Sequence, residues 1–181
     1  HADDAAAHEA RLACEHLANR GIACAFDRED LEHFAALGVG SPDGASSYAG
    51  EDLDLVLVLG GDGSILRAAE LVDKNPAPIL GINLGHVGFM TEAERSEISK
   101  VLDAVAAGDF STSERTTLEV KVWQEGKEVF SSWAINEVAV EKSARERMLE
   151  VVLEIDARPV SSFGCDGVLV STPTGSTAYA F

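Results

Sequence analysis

At 181 residues, 46% of them hydrophobic, the chain can fold as one domain or two small ones around a sizeable core. Its formal net charge of -17 argues against non-specific binding to nucleic acid or anionic membranes, which both depend on exposed Lys and Arg. A phosphorylated ligand would therefore need local positive charge, helix termini or a divalent cation.

The first stretch, His1 to Asn19, is alanine-rich, with Ala10, Leu12, Ala13 and Leu17 near helical spacing, so a helix is expected there, stopped by Gly21. Ile22 to Phe26 reads as a short apolar strand, and Leu37 to Tyr48 as a loop. Leu53 to Leu59 is an apolar run of strand length, too continuous for a half-wet strand, which predicts a buried strand of a parallel sheet. Gly60-Gly61-Asp62-Gly63 then turns the chain into a helix expected from Ser64 to about Val72. Asn75-Pro76-Ala77-Pro78 links to a second buried strand, Ile79 to Asn83, which ends in Leu84-Gly85-His86-Val87-Gly88-Phe89-Met90. Ser96 to Ala107 is an amphipathic helix stopped by Gly108.

From Phe110 the pattern changes to period two. Leu118 to Trp123 alternates, Gln124 to Lys127 is a turn, and Glu128 to Ile135 returns as a strand. Val138 to Val140, Leu149 to Asp156 and Val168 to Ser171 are further strands, which makes the second half β-rich. The three cysteines, Cys14, Cys24 and Cys165, have no metal-ligand spacing and read as reduced thiols. No stretch reaches the length of a membrane span and no signal peptide is visible, so a cytoplasmic location is expected.

Three stretches could carry chemistry. A strand, a glycine turn and a helix N-terminus make an anion site, because free N–H groups and the helix dipole converge there. Asp62 is planted in that site, which suits either a plain turn with a solvated carboxylate or one that accepts a proton or holds a metal. Arg67, one turn into the helix, could face a phosphate; spacing alone favours an arginine paired with Glu70 or Asp62. Asn136-Glu137 offers an amide and a carboxylate for reading hydroxyls, or is a surface turn. Cys165-Asp166-Gly167 leads through a buried strand into Ser171-Thr172-Pro173-Thr174-Gly175-Ser176-Thr177-Ala178-Tyr179, a hydroxyl-rich loop able to wrap and hydrogen-bond a nucleotide. His86 is read as structural and Cys165 as an inert thiol.

Taken in order, Gly60 to Ser64, Asn83 to Phe89, Asn136-Glu137 and Asp166-Gly167 with Thr172 to Tyr179 resemble the ATP/polyphosphate-NAD kinases. The glycine-aspartate turn alone is shared with lipid kinases and phosphofructokinases; the Thr-Pro-Thr-Gly-Ser-Thr-Ala-Tyr loop with Asn-Glu is far more specific. The resemblance implies a Rossmann-like α/β domain over residues 1–108 and an all-β sandwich domain over 109–181. It implies transfer of the γ-phosphoryl of ATP, or phosphoryl from polyphosphate, to the 2′-hydroxyl of the adenosine ribose of NAD, with a divalent metal, Mg²⁺, on the triphosphate. It makes Asp62 the general base, lays Gly63 against NAD and makes Arg67 an NAD contact. Asn136 and Glu137 become ligands of the ribose and amide groups, and Asp166 the carboxylate on the nicotinamide side. Thr177, Ala178 and Tyr179 run along the dinucleotide, and Arg147 reaches NAD from a neighbouring subunit of a homodimer or homotetramer. No protein metal site, nucleic acid or membrane partner is implied.

The chain departs from the family pattern at Ser64, where threonine is usual, before His1, where a first strand is expected, and after Phe181, where the family runs on for roughly a hundred residues. A fragment of a longer protein is the corresponding expectation. Two other readings stay open: a lipid or sugar kinase that shares only the glycine-aspartate turn, and a non-catalytic NAD(P)-sensing module.

Overall fold

The computed structural model describes residues 4–42, 44–85, 88–143 and 147–178. The chain forms two compact units, residues 1–112 and 113–181. The first is α/β, in the order α1 (Asp4–Ala18), β1 (Ala25–Phe26), α2 (Arg28–Ala36), β2 (Ser46–Ser47), β3 (Val56–Leu59), α3 (Asp62–Leu71), β4 (Ile79–Asn83), β5 (Ala93–Glu94), a 3₁₀ turn (Arg95–Glu97) and α4 (Ile98–Ala107). β3, β4 and β5 form a parallel sheet, with Val56 opposite Ile79 and Leu59 opposite Ile82; β1 and β2 form a separate parallel pair.

The two faces of β3 explain its unbroken apolar run. Leu57 and Leu59 pack with Ile82 against Ala13 and Leu17 of α1 and Ile98 and Leu102 of α4. Val56 and Val58 turn the other way, onto Ile65 and Ala68 of α3. Successive strand side chains point to opposite faces, so a strand clad by helices on both sides must be apolar at every position.

Three local expectations change. The strand expected over Ile22 to Phe26 is only Ala25–Phe26, and the loop after Leu37 contains its partner, Ser46–Ser47. α2 has no counterpart in the sequence pattern, since Phe34 is its single buried residue and most of the others are exposed. The helix expected to open at Ser64 opens at Asp62, with Gly61 as its N-cap and no side-chain cap.

The second unit is β-rich. β6 (Leu118–Gln124) and β7 (Lys127–Ala134) form a hairpin, as do β9 (Leu149–Ile155) and β10 (Arg158–Cys165). β8 (Glu137–Glu141) pairs antiparallel with β11 (Gly167–Ser171), and a 3₁₀ turn follows at Gly175–Thr177. β10 is a strand that the sequence pattern does not single out. The strands of this unit carry exposed apolar side chains, among them Trp123, Phe130, Val152 and Val160. Among the described residues, no helix is long and apolar enough to cross a membrane.

All three cysteines are free thiols. Cys14 is 3% exposed, and the Cys24 thiol sits 3.9 Å from its carbonyl oxygen. Burial first, then the neighbouring Cys24 thiol, pushes Cys14 from its ordinary 9.0 up to about 12. Between those two values the native thiol keeps a proton that the unfolded chain has lost. The Cys14 contribution to stability is therefore fully present below pH 9 and declines as pH rises toward 12. At pH 8 a disulfide reagent should reach Cys14 last, with fast labelling only after unfolding in urea. Ile82 is fully buried between the helices, so Ile82→Ala should lower the unfolding free energy by about 2–5 kcal/mol in a denaturant titration.

Candidate functional site

Residue Asp62 is the first residue of α3, immediately beyond the C-terminal end of β3. It is half-buried, and both carboxylate oxygens are held: the Phe89 N–H donates to Oδ2 at 2.9 Å and the Met90 N–H to Oδ1 at 3.0 Å. The donors belong to the segment after β4, whose neighbouring residue Gly88 lies so close that an added Cβ would collide with the carboxylate. A carboxylate at a helix N-terminus is stabilised by the dipole, and this one is oriented as well. The plain solvated turn is thereby replaced by a fixed acid. Gly63 follows it on α3, exposed and with open space where a side chain would stand. Met90 packs on the Val58–Ile65–Ala68 cluster, whereas Phe89 is 77% exposed beside the acid.

Arg67 pairs with neither Asp62 nor Glu70. Its Nη2 meets Asp27 Oδ2 at 2.7 Å and Glu29 Oε2 at 2.8 Å, at the start of α2. The hydrogen bond with Asp27 is the main reason that the guanidinium is raised above its usual range. Asp30, on the same turn, has its carboxyl pushed up by burial, which the Arg67 charge partly offsets. Intrahelical spacing could not reveal these partners, which lie 40 and 38 positions upstream in the chain.

At the C-terminal end of β4, Asn83 is 4% exposed. Its Oδ1 accepts the Gly85 N–H at 2.9 Å, and its Nδ2 has no partner. It lines a recess of about 590 Å³ with Glu9, Leu84, Gly85, Glu94, Arg95 and Ser96, and Asp62 is outside that lining.

In the second unit the β8–β11 ladder brings two distant motifs together. Ser171 faces Glu137 across the ladder, so Asn136 lies beside Thr172. The Thr172 N–H donates to the Asn136 carbonyl at 2.8 Å, the Thr172 hydroxyl donates to the Ile135 carbonyl, and the Gly175 N–H donates to that hydroxyl at 3.0 Å. Thr172 is 2% exposed, and a Cβ on Gly175 would overlap the Asn136 carbonyl. The Ala178 N–H closes the 3₁₀ turn onto the Gly175 carbonyl at 3.0 Å, placing Thr177 and Ala178 on a loop pinned to Asn136. Glu137 Oε2 is buried without a hydrogen-bond partner, a costly arrangement unless a donor arrives.

Asp166 is not in this group. It sits at the other end of the same ladder, about 17 Å of strand from Glu137 at ~3.4 Å per residue, and its Oδ1 holds Lys142 Nζ at 2.7 Å. Arg147 leads into β9 and lines a recess of about 670 Å³ with Met148, Glu150, Ser162 and Phe163. Tyr179 and His86 lie outside the described residues.

The first unit is thus an α/β protein of the kind that binds ligands beyond the C-terminal ends of parallel strands; the second offers an amide, an unpaired carboxylate and a hydroxyl-lined loop. A family model described as the ATP-NAD kinase N-terminal domain matches residues 42–110, and one described as the ATP-NAD kinase C-terminal domain matches residues 135–181. The chain belongs to the NAD kinase family. It is 59% identical over 130 residues to an NAD kinase of Leifsonia xyli subsp. xyli, covering 72% of this chain and 43% of that protein. To an NAD kinase of Mycobacterium bovis it is 58% identical over 137 residues, covering 76% and 45%. The chain therefore spans about half the length of the relatives it matches. The crystal structure of yeast NADH kinase complexed with NADH shares the fold, with a TM-score of 0.78 at 23% identity over 94% of this chain and 55% of that one. An NAD kinase from Archaeoglobus fulgidus in complex with ATP gives 0.54 at 26% identity over 88% and 64%.

The Gly175–Asn136 contact generates a direct test. Gly175→Ala should destabilise by about 1–3 kcal/mol through overpacking. Gly40→Ala, where nothing lies within 4 Å of the new Cβ, should stay within about 0.5 kcal/mol in the same denaturant titration.

Proposed function

We propose that the protein is an NAD kinase, transferring the terminal phosphoryl group of ATP, with polyphosphate as an alternative donor, to the 2′-hydroxyl of the adenosine ribose of NAD to give NADP. The observation that carries this reading is the Asp62 carboxylate, fixed through both oxygens by main-chain N–H groups at a glycine-flanked helix N-terminus. Asp62 takes the proton of the 2′-hydroxyl as the phosphoryl group arrives. Each of its oxygens accepts one N–H from the protein and keeps a lone pair for the substrate.

Asn136 and Glu137 bind the ribose and amide groups, and the unpaired Glu137 Oε2 is the acceptor that a ribose hydroxyl would satisfy. Gly63 lets the dinucleotide approach the backbone, and Arg67 contacts it through its phosphates. Asp166, together with Thr177, Ala178 and Tyr179, lies along its length, and Arg147 reaches NAD from a neighbouring subunit of a homodimer or homotetramer. In this reading residues 1–108 form the α/β domain and 109–181 the NAD-binding β domain of a cytoplasmic enzyme. Among the described residues no group of three or more His, Cys, Asp or Glu side chains could hold a metal ion. In this reading a divalent cation, Mg²⁺, accompanies the triphosphate, where it would neutralise charge on the phosphates.

A lipid or sugar kinase would share the Asp62 turn alone, whereas the match over residues 135–181 covers the hydroxyl-rich loop as well. The test is a coupled assay of the full-length gene product with NAD and ATP–Mg²⁺. Turnover of diacylglycerol or fructose 6-phosphate with none of NAD would overturn the reading; tight NAD binding without product would leave a sensing module. Asp62→Asn should lower kcat by about 10²–10⁴-fold, the usual contribution of a general base, with NAD binding still measurable by calorimetry. Full residual turnover would remove the base assignment.

A further inference from the structure

We propose that Asp27 and Glu29 are positioning residues that hold the Arg67 guanidinium in the orientation from which it meets the phosphates of NAD. This inference rests on the assignment of Arg67 as an NAD contact. Asp27 occupies the N-cap position of α2, where an aspartate ordinarily turns its carboxylate back onto the first N–H groups of its own helix. Here it makes no side-chain cap. Its Oδ2 reaches instead to Arg67 Nη2 on α3, 40 residues away in sequence, at 2.7 Å. A capping bond of this kind contributes about 0.5–2 kcal/mol to a helix, so forgoing it for a long-range arginine implies that the arginine is what the aspartate is there to hold. Glu29 adds a second carboxylate at 2.8 Å to the same nitrogen.

The geometry leaves the arginine useful. Both contacts fall on Nη2, so Nη1 and Nε–H remain to donate to a ligand oxygen. Arg67 is 53% exposed in its side chain, and a long side chain with that freedom loses rotamer entropy on binding a phosphate. The hydrogen bond to Asp27 and the ion pair with Glu29 restrict the guanidinium beforehand, which reduces that loss. Asp27, 26% exposed, is the better-sheltered partner and the stronger anchor; Glu29, 75% exposed, is screened by solvent and contributes less.

The test uses the full-length gene product and reads KM and kcat for NAD together with the NAD dissociation constant by calorimetry. In Asp27→Asn/Glu29→Gln, KM and Kd for NAD should rise about 3- to 10-fold, the span of one to two exposed ion pairs. The kcat should stay within about two-fold, KM for ATP should hold, and the melting temperature should move by less than about 3 °C. Asp27→Glu, which keeps the carboxylate, should recover most of the affinity. If Arg67→Ala weakens NAD binding while the double variant leaves it unchanged or tightens it, the two acids do not position the arginine and the inference is overturned. A fall in kcat and melting temperature with unchanged NAD affinity also overturns it, because the contact then only joins α2 to α3. If Arg67→Ala itself leaves NAD affinity intact, the NAD assignment of Arg67 fails and this inference with it. An unmodified protein that binds no NAD removes the function as well as the inference.

Discussion

The first unit depends on one arrangement: a carboxylate at the start of α3 held by two main-chain N–H groups from the segment after β4. It requires the two strands to end in step. Parallel pairing puts Leu59 opposite Ile82, and the Gly60 N–H continues the ladder onto the Ile82 carbonyl at 2.9 Å. The turn after β3 and the segment after β4 therefore leave the sheet at the same level, near enough for one side chain to join them. Gly88 completes the fit, since any side chain there would displace the Asp62 carboxylate. The acid is thus positioned by backbone geometry rather than by neighbouring side chains. Its placement withstands surface substitution but not a shift in strand register.

The second unit solves its own positioning problem with a buried hydroxyl. Thr172 donates to the Ile135 carbonyl, receives the Gly175 N–H and sends its own N–H to the Asn136 carbonyl. Three main-chain groups from two distant segments are satisfied around one threonine. Valine, of the same shape, would leave the Gly175 N–H and the Ile135 carbonyl without partners, at the price of buried polar groups left unpaired. The hydroxyl-rich loop is consequently anchored by its first residue, and beyond it the Ser176 hydroxyl donates to the Pro173 carbonyl at 2.8 Å and the Ser176 N–H to the Thr172 carbonyl at 3.0 Å.

What could be read from the residues alone followed from how local each signal is. The parallel strands were legible because helices cover both faces of β3, which demands the unbroken run from Leu55 to Leu59. The β6–β7 hairpin was legible from alternation interrupted by Glu-Gly, whose residues take positive φ values of 50° and 75°. β10 was not, because its hairpin turns at Asp156-Ala157, a non-glycine pair at φ 51° and 60°, and the strand carries a proline and a register shift between Pro159 and Ser161. α2 escaped for want of an apolar stripe. Within the site, Asp62 stood out by type and setting, but what holds it did not, since main-chain N–H groups leave no mark in a sequence. The partners of Arg67 were hidden for a related reason: ion pairing between helices depends on tertiary placement, whereas spacing rules see one helix at a time.

Charge gives these placements a common logic. In a chain of net charge -17, cations are scarce, and Arg11, Arg20, Arg28, Arg67, Arg95, Lys121 and Lys142 each meet a carboxylate at 2.5–2.9 Å. A polyanionic ligand that meets one of these seven finds a cation already partly neutralised. In the first unit, the N–H groups at the start of α3 add an attraction for anions that does not depend on net charge. Those neutral donors are directional and short-ranged, so they discriminate by shape where a basic patch would bind any phosphate.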